Sequence, residues 1–362
     1  MVVPHVRPFA GSLPRRAFDE HDPRALDVVK AWTDEKLPDF ALLGVPFDGA
    51  VIGRKGAAEG PAAIRDALRY SSSYSFEEDV DLYGMSVGDI GDVIVPSDNV
   101  ARAQVQISEA LEAVWKGGAQ PLILGGDNSI TFAAVRALAQ RTTGKVGIID
   151  FDAHHDVRVP KNGPTSGTPY YQIVEELAGK VDPKNIAQVG LRRFANSKMY
   201  REWATRKGIR QFSMKEIRRN GFTGVLESAL EATTDGVEAL YVSLDMDVVD
   251  QAWAPGVSSP SPDGLTPRDV FDGVQAAANR SLCKGFEVVE TAPSLDPTGN
   301  TQRVAALAVL HYLVGRKKPA WTKPAPRPMS SAPPPSRAPM SRGPPASRGW
   351  GGPPRRPEPR RW

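Results

Sequence analysis

Cysteine is almost missing from this 362-residue chain. Cys283 is the only one, so an intrachain disulfide and a cysteine-based zinc site are both impossible, and a reducing cytoplasm is the expected compartment. Long apolar runs are missing too. No uncharged stretch approaches the roughly 20 residues needed to cross a bilayer, so no membrane role is expected. Met1 to Ala10 holds no apolar block behind a basic start, which argues against a secretory signal. Histidine is scarce at five residues, so any chemistry built on imidazole has few candidates. What remains, 41% hydrophobic and 24% charged residues, is ordinary for a soluble globular protein and excludes collagen-like and coiled-coil chains. The length suits one large domain or two ordinary ones, with ample material for a buried core.

Proline is in excess, and it is unevenly placed. Fourteen of the 33 prolines fall between Pro319 and Trp362, a stretch with eight arginines, one lysine and a single acid, Glu358. That stretch carries +8, so against the chain's formal +3 the preceding 318 residues carry −5. With almost no aliphatic residues it cannot bury enough surface to offset its ordering entropy, and it is expected to be disordered. Such a tail is either a solvated appendage or a segment that binds RNA, acidic partners or SH3-like grooves. The chain thus divides into an N-terminal extension (1–38), a folded region (39–318) and a Pro/Arg-rich tail (319–362).

Six short apolar runs in the folded region read as buried strands: 39–47, 121–125, 145–152, 185–191, 239–245 and 284–289. They are continuous rather than alternating, as strands covered on both faces should be. Helical periodicity occupies 100–115, 130–141, 170–177, 267–278 and 301–313, with Thr266 and Pro267 forming a helix start. Strand and helix alternate, which predicts an α/β fold around a mostly parallel sheet.

Polar residues sit at the carboxyl ends of four of these strands. They are Gly125-Gly126-Asp127, Asp152-Ala153-His154-His155-Asp156, Asp245-Met246-Asp247 and Glu290. In open α/β sheets that edge is where ligands bind. Alternation on an extended segment would turn Asp152, His154 and Asp156 to one face and His155 away, and Asp245 and Asp247 repeat the spacing. Any one of these acids alone reads as a surface loop residue. Together, carboxylates from separate strands would repel one another unless a cation lay among them. One imidazole with four carboxylates suits a divalent ion such as Mn²⁺, and two such ions a few Å apart ready a shared water for attack.

These pieces carry a family resemblance. Gly44-Val45-Pro46-Phe47-Asp48, Gly60-Pro61, Ile64-Arg65, the Gly-Gly-Asp, Asp-Ala-His-His-Asp and Asp-Met-Asp segments, Ala254-Pro255-Gly256 and Val288-Val289-Glu290 together resemble the ureohydrolases: arginases, agmatinases, guanidino-acid hydrolases and formimidoylglutamases. The resemblance covers residues 39 to 315 and omits the tail. It implies a three-layer α/β/α fold, a binuclear manganese centre, hydrolysis of a C–N bond in a linear guanidine or amidine, and a homotrimer or homohexamer. Two departures from the arginase pattern stand out. Thr165-Ser166-Gly167-Thr168-Pro169 places Ser166 where a loop histidine usually stands. With Arg158 and Ala254-Pro255-Gly256-Val257-Ser258, it is similar to the formimidoylglutamase branch. Asn128 occupies the position of a histidine ligand, and an amide oxygen is a weaker donor, so one metal site is expected to be weak.

The resemblance therefore implies metal ligation by Asp152, His154, Asp156, Asp245, Asp247 and Asn128. Glu290 would pair with the cationic amidinium, and Asp247 or solvent would handle the proton. Arg158, Ser166 and Asn196 are the expected substrate contacts, with a surface or interprotomer ion pair as the alternative role of Arg158 and with Arg192 and Arg193 near the pocket mouth. Glu287 is expected to be structural, as is His311, while His5 and His21 are expected to be solvated. The expected reaction is N-formimidoyl-L-glutamate plus water to L-glutamate and formamide. Release of urea from agmatine or a guanidino acid is the alternative within the family. A catalytically silent, metal-poor oligomeric binding protein is the alternative outside it.

Overall fold

All six apolar runs are strands, because each can be covered by helices on both faces. In the computed structural model of the chain, which describes residues 2–9, 11, 19 and 21–318, they are joined by six shorter or more polar strands. In chain order the strands are β1 (Val6–Arg7), β2 (Lys30–Ala31), β3 (Phe40–Gly44), β4 (Tyr74–Ser75), β5 (Val80–Asp81) and β6 (Val87–Val93). There follow β7 (Gln120–Leu124), β8 (Val146–Phe151), β9 (Ile186–Leu191), β10 (Arg210–Ser213), β11 (Ala239–Asp245) and β12 (Cys283–Val289). Except for the β4–β5 hairpin, all belong to one sheet of order β1-β6-β3-β7-β12-β11-β8-β9-β10, with β2 also on β6. From β6 to β10 every pairing is parallel, and only β1 runs against its neighbour. β1 and β2 both come from the first 38 residues, so part of that segment is built into the sheet.

Helices cover both faces. They are α1 (Ala25–Val28), α2 (Gly60–Leu68), α3 (Val100–Lys116), α4 (Ile130–Arg141), α5 (Pro169–Glu176), α6 (Lys198–Lys207), α7 (Met214–Asn220), α8 (Phe222–Thr234), α9 (Pro267–Ala278) and α10 (Asn300–Lys317). One apolar core joins α2 and α7 to α10 to Leu42, Phe151, Val242 and Phe286 of the sheet. A second joins α3 to α6 to Leu43, Ile148 and Tyr241. Consecutive strand residues enter opposite cores, and the result is a three-layer α/β/α fold. The start of α9 is as expected: Thr266 Oγ1 accepts from Asp269 N at 3.2 Å and Asp269 returns the bond to Thr266 N. No helix among the described residues is long and apolar enough to cross a membrane. The Pro/Arg-rich tail from Pro319 onward lies outside the described residues.

Strand β6 gave no apolar signal, because its sequence VGDIGDV carries two acids. Tertiary structure neutralises them. Arg65 of α2 is fully buried and donates to both oxygens of Asp89 (2.7 and 2.9 Å) and to Asp92 Oδ1 (2.7 Å). Gly44 faces this pair; a Cβ there would lie 1.9 Å from Asp92 Oδ1. The Gly44 and Ile64-Arg65 motifs are thus two sides of one buried ion network. His5, expected to be solvated, instead meets Glu109 at 2.7 Å. Removing the guanidinium strands two enclosed carboxylates, so Arg65→Met is expected to lose about 3–5 kcal/mol of stability. Urea unfolding checks this, and an unchanged midpoint would contradict the network's importance.

Candidate metal centre

Strands β7, β12, β11 and β8 are consecutive in the sheet, and the residues singled out in the sequence leave their carboxyl ends. Turns, rather than strand alternation, do the grouping. β8 stops at Phe151, and Asp152 Oδ1 accepts from His154 N at 2.6 Å, bending the chain back. Asp156 then takes a left-handed φ of 47°. Asp245 ends β11, and its Oδ1 accepts from Asp247 N at 2.8 Å in the short helical turn Met246–Val248. Glu290, just after β12, has φ 63° and donates its N–H to Gly126 O at 2.8 Å. Left-handed backbone costs a non-glycine residue roughly 1–2 kcal/mol. That two site acids bear this cost points to function at this edge. Gly126 has to be glycine, since a Cβ would stand 1.7 Å from Phe47 O.

The side chains converge into two groups that share Asp152. Asp152, His154 and Asp247 offer donor atoms within 4.8 Å of one another, and so do Asp152, Asp156 and Asp245. Burial, and then the neighbouring Asp247, push Asp152 up to about 6. Burial and the other site carboxylates push Asp156 and Asp245 well above the ordinary range. Burial pushes Asp247 upward as well, but His154, Arg192 and the Ala153 N–H together outweigh it and hold this carboxyl below the usual range. In return Asp247, 2.9 Å from Nδ1, pushes His154 up to about 12. A cation therefore belongs here, because carboxylates this close and this deeply buried are unfavourable as charged groups unless positive charge lies among them. These residues fit divalent ions with oxygen and imidazole preferences.

Asn128 is beside the second group, but its polarity is reversed. Its Nδ2 donates to Asp156 Oδ2 at 2.7 Å, while Oδ1 accepts from Thr131 Oγ1 at 2.6 Å. Glu290 is 3% exposed; Oε1 accepts from Asn128 N at 2.9 Å and Oε2 has no hydrogen-bond partner. Burial, then Asp127, raise its pKa well above normal. Glu290, His154, Asp156, Asp245 and Asp247 line a cavity of about 170 Å³. Arg158 and Ser166 stand at its wall, together with Ser258 and Ser259. Arg158 meets no carboxylate among the described residues; it contacts Tyr200, whose OH accepts at 3.3 Å. Gly167 leaves room for it, because a Cβ there would be 2.7 Å from Arg158 Cδ.

Asn196 is elsewhere. Its amide clamps the metal loop from behind, accepting from His155 N (2.8 Å) and donating to Ala153 O (2.9 Å), and it does not line the metal cavity. Arg192 also grips the ligand-bearing backbone, donating to the carbonyls of Asp247 and Val249. His155 points away and meets Gln188 Oε1 at 2.8 Å. His311 stacks on Phe271 and bonds Gln275, a structural setting.

Two features are not evident from the sequence. Asp127 Oδ2 accepts from Ala50 N at 2.8 Å and so anchors the loop that forms one cavity wall. Beneath the ligands, Gln188, Asp150, Ser243 and Glu287 lie in register across β9, β8, β11 and β12. Asp150 and Ser243 are two residues before Asp152 and Asp245, so a polar residue interrupting an apolar strand at that offset was the available signal. Ser243 Oγ donates to Glu287 Oε1 at 2.8 Å; Oε2 is unpartnered.

The fold and this acid-lined centre define a class. The arginase family model matches residues 38–315, and the chain belongs to the arginase family. Within it, the chain is 40% identical over 299 residues to a formimidoylglutamase of Halobacterium salinarum, covering 82% of this chain and 94% of the relative. The crystal structure of formimidoylglutamase from Bacillus subtilis superposes with a TM-score of 0.81 at 33% identity, covering 86% of this chain and 96% of that one. Formiminoglutamase of Trypanosoma cruzi, solved with Mn²⁺, superposes at 0.75 with 28% identity, covering 82% and 100%.

Burial pushes Glu287 from 4.5 up to about 7. A carboxyl group raised in the folded state keeps a proton that the unfolded chain has lost. Its stabilisation is complete below pH 4.5 and disappears as pH rises to 7. Metal-stripped wild type is expected to lose on the order of 1–3 kcal/mol between pH 5 and pH 8 relative to Glu287→Gln. Parallel pH profiles of the two urea midpoints would refute this.

Proposed function

We propose that this chain hydrolyses the C–N bond of a linear amidine with manganese, and that the substrate is N-formimidoyl-L-glutamate. Water cleaves it to L-glutamate and formamide. One observation carries the reading: a cavity with two carboxylate-rich donor groups and an unpartnered Glu290 oxygen inside has a guanidinium without a counter-ion, Arg158, at its wall. An amidinium fits the inner end and a carboxylate fits the outer one. The sequence relatives favour the same substrate. Work in the cytoplasm as a trimer or hexamer is part of this reading.

Asp152, His154 and Asp247 would hold one manganese ion; Asp152, Asp156 and Asp245, with Asn128 beside them, would hold a second. Bound ions of this kind supply Lewis acidity and lower the pKa of water toward neutrality. Glu290 ionises once positive charge enters the cavity, and its Oε2 accepts an amidinium N–H, holding the reacting carbon in place. Asp247 or solvent takes a proton from the attacking water and passes it to the leaving nitrogen. Arg158 binds a glutamate carboxylate with its planar fork. Ser166 shapes the wall, with Oγ accepting from Ile52 N at 3.2 Å.

Manganese-loaded protein is expected to release formamide from formimidoylglutamate. Urea from agmatine or a guanidino acid with no formamide would overturn the substrate assignment. Glu290→Gln is expected to lower kcat about 100–1000-fold. Arg158→Met is expected to raise KM about tenfold with a smaller change in kcat.

Asn128 has to turn its oxygen away from Thr131 to ligate, and an amide is a weaker donor than imidazole, so the second site is the weaker one. Asn128→His is expected to raise the manganese bound at limiting concentration, read as metal content per chain. An unchanged content would remove Asn128 as the cause.

A further inference from the structure

Behind the metal loop lies a second cavity, about 620 Å³ against about 170 Å³ for the metal cavity. Its walls are the segment after β9, the first turns of α6 and the turn from β10 into α7, with His155 also lining it. The volume is that of an ordinary small-ligand site. Its charge is one-sided. Arg192, Arg193, Lys198, Arg201 and Lys215 line it, with Glu216 as the only acid. Glu216 is already engaged, because its carboxylate accepts from Ser213 N and Oγ at 3.0 and 3.1 Å. Lys198 is 3.6 Å from Glu202 on the exposed helix surface, a weak pair. Among the described residues, the side chains of Arg193, Arg201 and Lys215 meet neither a carboxylate nor any other hydrogen-bond acceptor. Arg192 is 6% exposed, and its Nε is buried without a partner.

Residues 1–318 carry a net −5, so the balance of charge elsewhere is acidic. Several cations gathered around one hollow without counter-ions raise the local potential and concentrate anions there. Ser197 caps α6 at the cavity wall, and the positive end of that helix dipole adds to the same field. The cavity is also tied to the metal ligands. Asn196 and Arg192, which line it, hold the carbonyls and amides of Ala153, His155, Asp247 and Val249. An occupant that orders these two side chains also orders the backbone carrying His154 and Asp247.

We propose that this cavity is a second ligand site, separate from the metal cavity, for a small polyanion, and that its occupancy tightens manganese binding through Asn196 and Arg192. The recognisable chemistry is two or more negative oxygens on a compact body, which a phosphate ester and a di- or tricarboxylate share. The site needs neither the substrate assignment nor the identity of the reaction.

The test uses full-length, manganese-loaded protein and calorimetric titration with sulfate, ribose 5-phosphate and tricarballylate. The last two separate the phosphate from the carboxylate source. The comparison is the double variant Arg201→Gln/Lys215→Gln, whose side chains are exposed and outside the metal cavity. At least one probe is expected to bind wild type with a submillimolar Kd, and the double variant is expected to bind it about tenfold more weakly. In wild type the bound probe is expected to lower the free Mn²⁺ signal in electron paramagnetic resonance, about twofold at half-saturating metal. Activity of the double variant without probe is expected to match wild type. No binding of any probe at about 10 mM, or equal binding to both proteins, would overturn the site. So would a change in assembly size in the double variant by sedimentation, which would reassign the patch to contact between copies. Binding without any change in the manganese signal would overturn the coupling.

Discussion

Asp152, Asp156, Asp245 and Asp247 are brought within a few Å of one another in a place from which water is largely excluded. Burial and mutual repulsion both act against their ionisation, pushing Asp156 and Asp245 well above the ordinary carboxylate range and calling for positive charge among them. Everything around the site serves to maintain that unfavourable assembly. Tight turns fix the acids, two left-handed residues aim them, and Arg192 and Asn196 grip the turns from outside. The stability needed to do so comes from a parallel sheet with an apolar core on each face.

The same logic explains why the catalytic edge is polar while the sheet beneath it is not wholly apolar. Gln188, Asp150, Ser243 and Glu287 form a transition between the hydrocarbon core and the ionic layer. Such a row is costly to bury, and unpartnered oxygens on Asp150 and Glu287 show that the cost is not fully relieved. It gives the carboxylates above it a polar floor, and Gln188 connects that floor to His155 at the back of the metal loop.

The cavity wall is assembled from different material. The candidate metal ligands arise at strand ends, whereas Arg158, Ser166, Ser258 and Ser259, which line the same cavity, arise from loops cross-tied to one another. Ser166 N donates to Ala50 O, and Arg54 donates to Val257 O at 2.8 Å, so three loops are laced into one wall.

Much of this was legible in the chain itself. The continuous apolar runs gave six central strands, because burial on both faces leaves a signature that needs no partner to be read. The spacing of Asp152, His154, Asp156, Asp245 and Asp247 announced a cation, because carboxylates gathered at that density repel one another until positive charge lies among them. Other elements depended on residues distant in sequence. β6 looked unlike a strand until Arg65 arrived to neutralise Asp89 and Asp92. Asn196 looked like a substrate contact until the fold placed it behind the loop it clamps. Asn128 has an oxygen and a nitrogen, and only Thr131 decides which one faces the acids. Composition and periodicity are local properties and survive in a linear string. Partnership between charges and the side of a loop on which a residue falls are distances in space, and the string does not contain them until the sheet has set its strand order.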